Sequence, residues 1–182
     1  MNINIATLNM NGATSRESPL LNKWSEISNT LYKHKIAILA LQETHIDQQM
    51  MDQVRECFGK NLDILTSEDP STPRSKAGVA FVINKALINP KKIKTYELVP
   101  GRALLLKIKW LEDCETTILN IYAPVNRVAQ LQFWQTIENE KCHHGIARPE
   151  FIIGDFNVTE EAIDRAPPQL DNQMAMETLR NI

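Results

Sequence analysis

Four places in the sequence set oxygen-bearing side chains at the tip of an apolar run: Asn9 and Asn11, Glu43, Tyr122, and Asp155 with Asn157. Carboxylates and carboxamides are hard donors, the ligand type that Mg²⁺ or Mn²⁺ prefers, and no Cys/His cluster offers a zinc site instead. A phenol such as Tyr122 adds a neutral group that can hold a phosphate oxygen. In Gly154-Asp155-Phe156-Asn157 the glycine permits a sharp turn or a close approach to a ligand. Asp155 can ligate a hard cation or orient a nucleophile, and Asn157 points the same way two residues later. Taken alone, such a tip also serves as an ordinary Asx turn.

Strands and helices must carry these tips. Met1 to Leu8 alternates and stops at Asn9-Met10-Asn11-Gly12, which predicts a strand opening into a turn. Leu20, Trp24, Ile27 and Leu31 recur at helical spacing behind Ser18-Pro19, predicting an amphipathic helix with a Ser cap and Pro at its first position. The continuous run Ile36 to Leu41 reads as a central strand covered on both faces, leading into Gln42-Glu43-Thr44-His45. A helix over about Asp47 to Phe58, a short strand over Leu62 to Thr66 and a polar loop from Ser67 to Lys76 follow. Ala77 to Ile83, Ile93 to Val99, Ala103 to Trp110 and Thr116 to Tyr122 read as four strands of an antiparallel meander. Helices are expected over Val128 to Cys142, Thr159 to Ile163 and about Asn172 to Arg180, with the buried strand of the Asp155 tip after the first. Helices bracketing strands predict two sheets packed face to face with helices outside, rather than a doubly wound parallel sheet.

The chain has 182 residues, 43% hydrophobic and 23% charged, which suits one globular domain with a sizeable core. A net charge of −2 gives no global attraction to polyanions, so a nucleic-acid role needs a local basic face. Lys91-Lys92-Ile93-Lys94 with Arg102 could track a DNA backbone or be a solvated strand face. Three cysteines without a CxxC pair argue for reduced thiols in the nucleus or cytoplasm rather than a secreted disulfide framework. No run approaches the roughly 18 apolar residues of a membrane span.

Thr7-Leu8-Asn9-Met10-Asn11-Gly12, Leu41-Gln42-Glu43-Thr44-His45, Gly78-Val79-Ala80, Asn120-Ile121-Tyr122-Ala123-Pro124 and Gly154-Asp155-Phe156-Asn157 resemble the ordered motifs of the endonuclease/exonuclease/phosphatase superfamily. More narrowly, they are similar to the endonuclease domain of non-LTR retrotransposons, itself related to apurinic/apyrimidinic endonucleases. The resemblance implies a four-layer α/β/β/α sandwich of DNase I type spanning residues 1–182. It implies that Glu43 and Asn9 hold a catalytic Mg²⁺ and that Asp155 orients or deprotonates the attacking water. Asn157 would hold that water and the phosphate, Tyr122 would contact the scissile phosphate, and Asn11 stands where relatives carry a further metal-site carboxylate; Asn11, His45 and Arg102 are the candidate substrate contacts, with a solvated turn residue as the alternative for His45. The implied reaction is in-line phosphodiester hydrolysis.

The resemblance stops short of the family's last motif, a strand tip reading Ser-Asp-His. No Asp-His dipeptide occurs, and the four histidines are His34, His45, His143 and His144. His143 and His144 are expected at a helix C-terminus, roughly 16 Å from Asp155 along a five-residue strand. The expectation is a C-terminally truncated domain with an exposed sheet edge prone to association, either a fragment or a decayed element. It would be weak or inactive as a nuclease, with residual cation or nucleic-acid binding, or with a small phosphodiester as substrate, as the alternatives.

Overall fold

The computed structural model describes residues 3–13, 19–111 and 114–158, with Glu177, Leu179 and Arg180. The first sheet contains β1 (Asn4–Asn9), β2 (Ile36–Gln42), β3 (Leu62–Ser67) and β4 (Val79–Asn84), in the order β1-β2-β4-β3. Its helices are α1 (Leu20–Lys33) and α2 (Gln48–Phe58). The second sheet runs β5 (Ile93–Val99), β6 (Ala103–Leu111), β7 (Cys114–Tyr122) and β8 (Phe151–Asp155), with α3 (Arg127–His143) leading into its last strand.

Three apolar layers explain the stacking. Leu20, Trp24, Ile27 and Leu31 of α1, at the predicted spacings, join Met51 and Val54 of α2 against the outer face of the first sheet. Phe81 and Ile83 of β4 meet Leu104, Leu106 and Ile108 of β6 between the sheets. Phe133, Trp134 and Ile137 of α3 cover Leu105, Leu119 and Ile121 on the far face of the second sheet. Every residue of β2 is buried, as a strand apolar on both faces must be. Asp47 caps α2 through the Met50 N–H, and Asn126 caps α3 through the N–H groups of Val128 and Ala129.

Two expectations need correction. The four-strand meander is a meander of three: β4 pairs antiparallel with β2 and β3 in the first sheet, and residues 85–92 carry the chain across to β5. With all six of its residues buried, β4 suits a central position between two strands. At α1, Pro19 is the N-cap residue rather than the first helical one; its extended ψ of 157° leaves its carbonyl to accept from Asn22 and Lys23. Ser18, the helix over 159–163 and most of the helix over 172–180 lie outside the described residues.

A buried polar cross-tie joins the sheets. Asn120 of β7 is fully buried, donates at 3.0 Å to both the Leu41 and Ala80 carbonyls, and accepts at 2.7 Å from Gln42 Nε2. Thr7 extends the chain of bonds into β1 by donating to Gln42 Oε1 at 3.1 Å. Buried polar groups deprived of such partners are costly. Asn120→Leu is therefore expected to destabilise the protein by roughly 2 to 4 kcal/mol in urea unfolding; a midpoint unchanged from wild type would show that the tie contributes nothing.

Candidate active site

The tips meet because the strands that end in them run in one direction. β1 pairs in parallel with β2, putting Asn9 beside Gln42, and β7 pairs in parallel with β8, putting Tyr122 beside Asp155. Face-to-face packing of the sheets then brings all four C-terminal ends together. They border a cleft of about 480 Å³ lined by Asn9, Gln42, Asp155, Asn157 and their neighbours.

Asn9 Nδ2 donates to Glu43 Oε1 at 2.8 Å and to Asp155 Oδ2 at 3.2 Å, so two carboxylates from different sheets converge on one nitrogen. The Asn11 backbone N–H donates to Asn9 Oδ1 at 2.9 Å, which fixes the orientation of the carboxamide. Asp155 Oδ1 accepts from the Asn157 backbone N–H at 3.1 Å, and Asn157 Nδ2 donates to the Ala123 carbonyl at 2.8 Å. The Asx turn expected at this tip and the convergence of chemical groups thus coexist. Glu43 and Asn157 adopt left-handed φ values of 50° and 47°, turning the chain sharply just past β2 and β8. Gly154 has φ 131°, and a Cβ there would lie 2.1 Å from the Ile121 carbonyl oxygen. The glycine permits close approach of β7 to β8 and also lines the cleft.

Tyr122 closes the other side. Burial raises its phenol pKa above the ordinary 10.0, and the nearby Glu43 carboxylate pushes the same way; the Arg102 guanidinium opposes them. Arg102 lies 5.2 Å from the centre of the Tyr122 ring and donates to the Tyr122 carbonyl at 3.2 Å. It belongs to the site and not to the lysine stretch with which the sequence grouped it, because the β5–β6 turn lies at the opposite end of those strands from Lys91 and Lys92.

Of the other predicted substrate contacts, Asn11 enters through its backbone, with an exposed side chain. His45 is tied by its N–H to the Ala77 carbonyl, and among the described residues no side-chain hydrogen bond joins it to the cluster. His143 and His144 stand at the C-terminus of α3, as expected. Residue types alone missed the support beneath the site: Gln42 and Asn120, polar residues inside apolar runs, and Lys23, whose ammonium clamps the Met10 and Gly12 carbonyls at 2.7 and 2.6 Å. Among the described residues no three of His, Cys, Asp and Glu form a cluster. Yet two carboxylates sharing one neutral donor leave excess negative charge, and a hard divalent cation fits that donor set.

No protein-family profile matches the sequence, and no curated protein does. Solved structures do. An AP endonuclease from Leishmania major superposes with TM-score 0.69 at 16% identity, over 98% of this chain and 65% of that one. An AP endonuclease from Archaeoglobus fulgidus gives 0.67 at 19%, over 98% and 69%. An endonuclease/exonuclease/phosphatase family protein from Bacteroides thetaiotaomicron gives 0.60 at 14%, over 98% and 67%. The chain therefore has the DNase I-like fold and spans about two thirds of the length of these structures.

The folded state holds the Tyr122 proton more tightly than an unfolded chain, so any stability drawn from it is complete below about pH 10 and is lost as pH rises through the folded pKa. With Tyr32 and Tyr96 changed to Phe, the tyrosinate absorbance of Tyr122 should titrate above this value and move down in Glu43→Gln. A titration that does not respond to Glu43→Gln would separate the two side chains.

Proposed function

We propose that this protein belongs to the endonuclease/exonuclease/phosphatase superfamily and is a divalent-metal-dependent phosphodiester hydrolase that nicks DNA, as the endonucleases of non-LTR retrotransposons do. The observation that carries this is the convergence of Glu43 and Asp155 on Asn9, with Tyr122 beside Asp155 at the end of β7. The order of the five motifs supports the retrotransposon type, and the AP endonucleases that share the fold support a nucleic-acid substrate.

Glu43 and Asn9 would hold Mg²⁺ or Mn²⁺, which leaves Asp155 as the base. Such a cation, when bound, supplies positive charge to the phosphate oxygens and the leaving oxygen. Asp155, oriented by the Asn157 N–H, accepts a proton from the attacking water. Tyr122 keeps its proton at neutral pH and offers it as a hydrogen bond to a phosphate oxygen, while Arg102 sets a fixed cation behind the ring. Asn120 and Gln42 hold the two halves of the site in register from below.

A second reading, cation or nucleic-acid binding without turnover, has one observation in its favour: among the described residues no histidine side chain bonds to Asp155 or Tyr122. Supercoiled plasmid with Mg²⁺ separates the two. Nicking by the protein is expected, slowed by at least about 10² in Asp155→Asn with the far-UV circular dichroism preserved. Cleavage of a small phosphodiester but not of plasmid would move the substrate class away from DNA. Cleavage of neither would overturn the hydrolase.

A further inference from the structure

At the far end of the second sheet the chain gathers positive charge that the candidate site does not use. The 3-10 turn Pro90–Lys92 and strands β5 and β6 set Lys91, Lys94, Lys107 and Lys109 around a groove of about 540 Å³ that is also lined by the partly exposed Tyr96 and by Trp110, whose side chain packs against the core between the sheets. Glu115 is the one acid in that lining. It pairs with Lys107 at 2.5 Å, and Lys92 donates to the Trp110 carbonyl at 3.0 Å. Lys91, Lys94 and Lys109 make no ion pair among the described residues. The Glu115 pKa is lowered by the Lys107 hydrogen bond and further by the positive charges of Lys109 and Lys94.

The groove has a direction. A second hollow, of about 600 Å³, shares Tyr96, Lys107 and Glu115 with the first and continues past His144, whose ring lies 5.5 Å from that of Tyr96, to Arg148 and Glu150. Lys109 sits six residues along β6 from Ala103, which pairs with Ile121 at the candidate site. At about 3.4 Å per residue the basic groove is roughly 20 Å from the carboxylates. With an overall charge of −2, this positive field is local.

We infer that the groove is a second nucleic-acid site, separate from the candidate active site, which holds the phosphate backbone of a single strand. Lysines without ion pairs along a groove recognise successive phosphates, and an aromatic ring in its wall, as Tyr96 provides, offers a face on which an unpaired base stacks. A paired duplex keeps its bases away from such rings, so the aromatic component favours a single strand. The site stands independently of the hydrolytic reading, because none of its lysines touches Asn9, Glu43, Tyr122 or Asp155.

Fluorescence anisotropy with a labelled oligothymidylate tests this. Wild-type affinity is expected to fall with salt at a log–log slope of about −2, as about three neutralised phosphates require. Lys94→Glu with Lys109→Glu should weaken binding at least about 10-fold and flatten that slope. Tyr96→Ala should weaken it about 5-fold or more through lost stacking. Matched thermal melts would establish that the lysine variant is folded. Unchanged binding in that variant would overturn the inference, as would tighter binding of a duplex of equal length or displacement of the strand by polyglutamate at equal charge.

Discussion

Buried side chains tie the two halves of this protein together, Asn120 foremost among them. Asn120 reaches from the second sheet to backbone carbonyls on two strands of the first, and its own oxygen receives Gln42, whose chain neighbour is Glu43. Apolar contact between sheets fixes their spacing but tolerates sliding, because it has no directional preference. Hydrogen bonds to fixed carbonyls do not tolerate it. Asp155 belongs to one sheet and Glu43 to the other, so any chemistry they share depends on this lateral constraint.

The same division explains the electrostatics. Two carboxylates approach each other across the gap between sheets, and the groups closest to them are a neutral carboxamide and a protonated phenol. Neither neutralises that charge, and the nearby guanidinium of Arg102 stands over the phenol ring. Negative charge is thereby held in a partly exposed cleft, an arrangement that favours a divalent cation entering from solvent. Lys23 serves the same end from outside, since its clamp on the Met10 and Gly12 carbonyls supports the turn from which the Asn11 N–H sets the Asn9 amide.

Strands also separate functions along their length. On β6, Ala103 pairs beside the carboxylate end and Lys109 lies in the basic groove. An acidic cluster and a lysine track on the same sheet, at opposite ends, keep the positive charges from filling the place of a cation. They give a chain of slightly negative net charge two surfaces of opposite sign.

Much of the architecture is written locally. The spacing of Leu20, Trp24, Ile27 and Leu31, the caps Asp47 and Asn126, and the doubly apolar runs of β2 and β4 each follow from neighbours a few residues away, so sequence periodicity determined these elements and the polar character of their tips. Assignment of β4 to the first sheet, the placing of Arg102 over Tyr122 rather than among the lysines, and the duty of Gly154 toward Ile121 all involve partners from another strand. Strand partners are chosen by competition among distant segments for hydrogen bonds and apolar cover, which no local pattern encodes. The sequence by itself therefore determined which side chains stand at the strand ends, and only the packing of one sheet on the other decided that Glu43 and Asp155 would meet on Asn9.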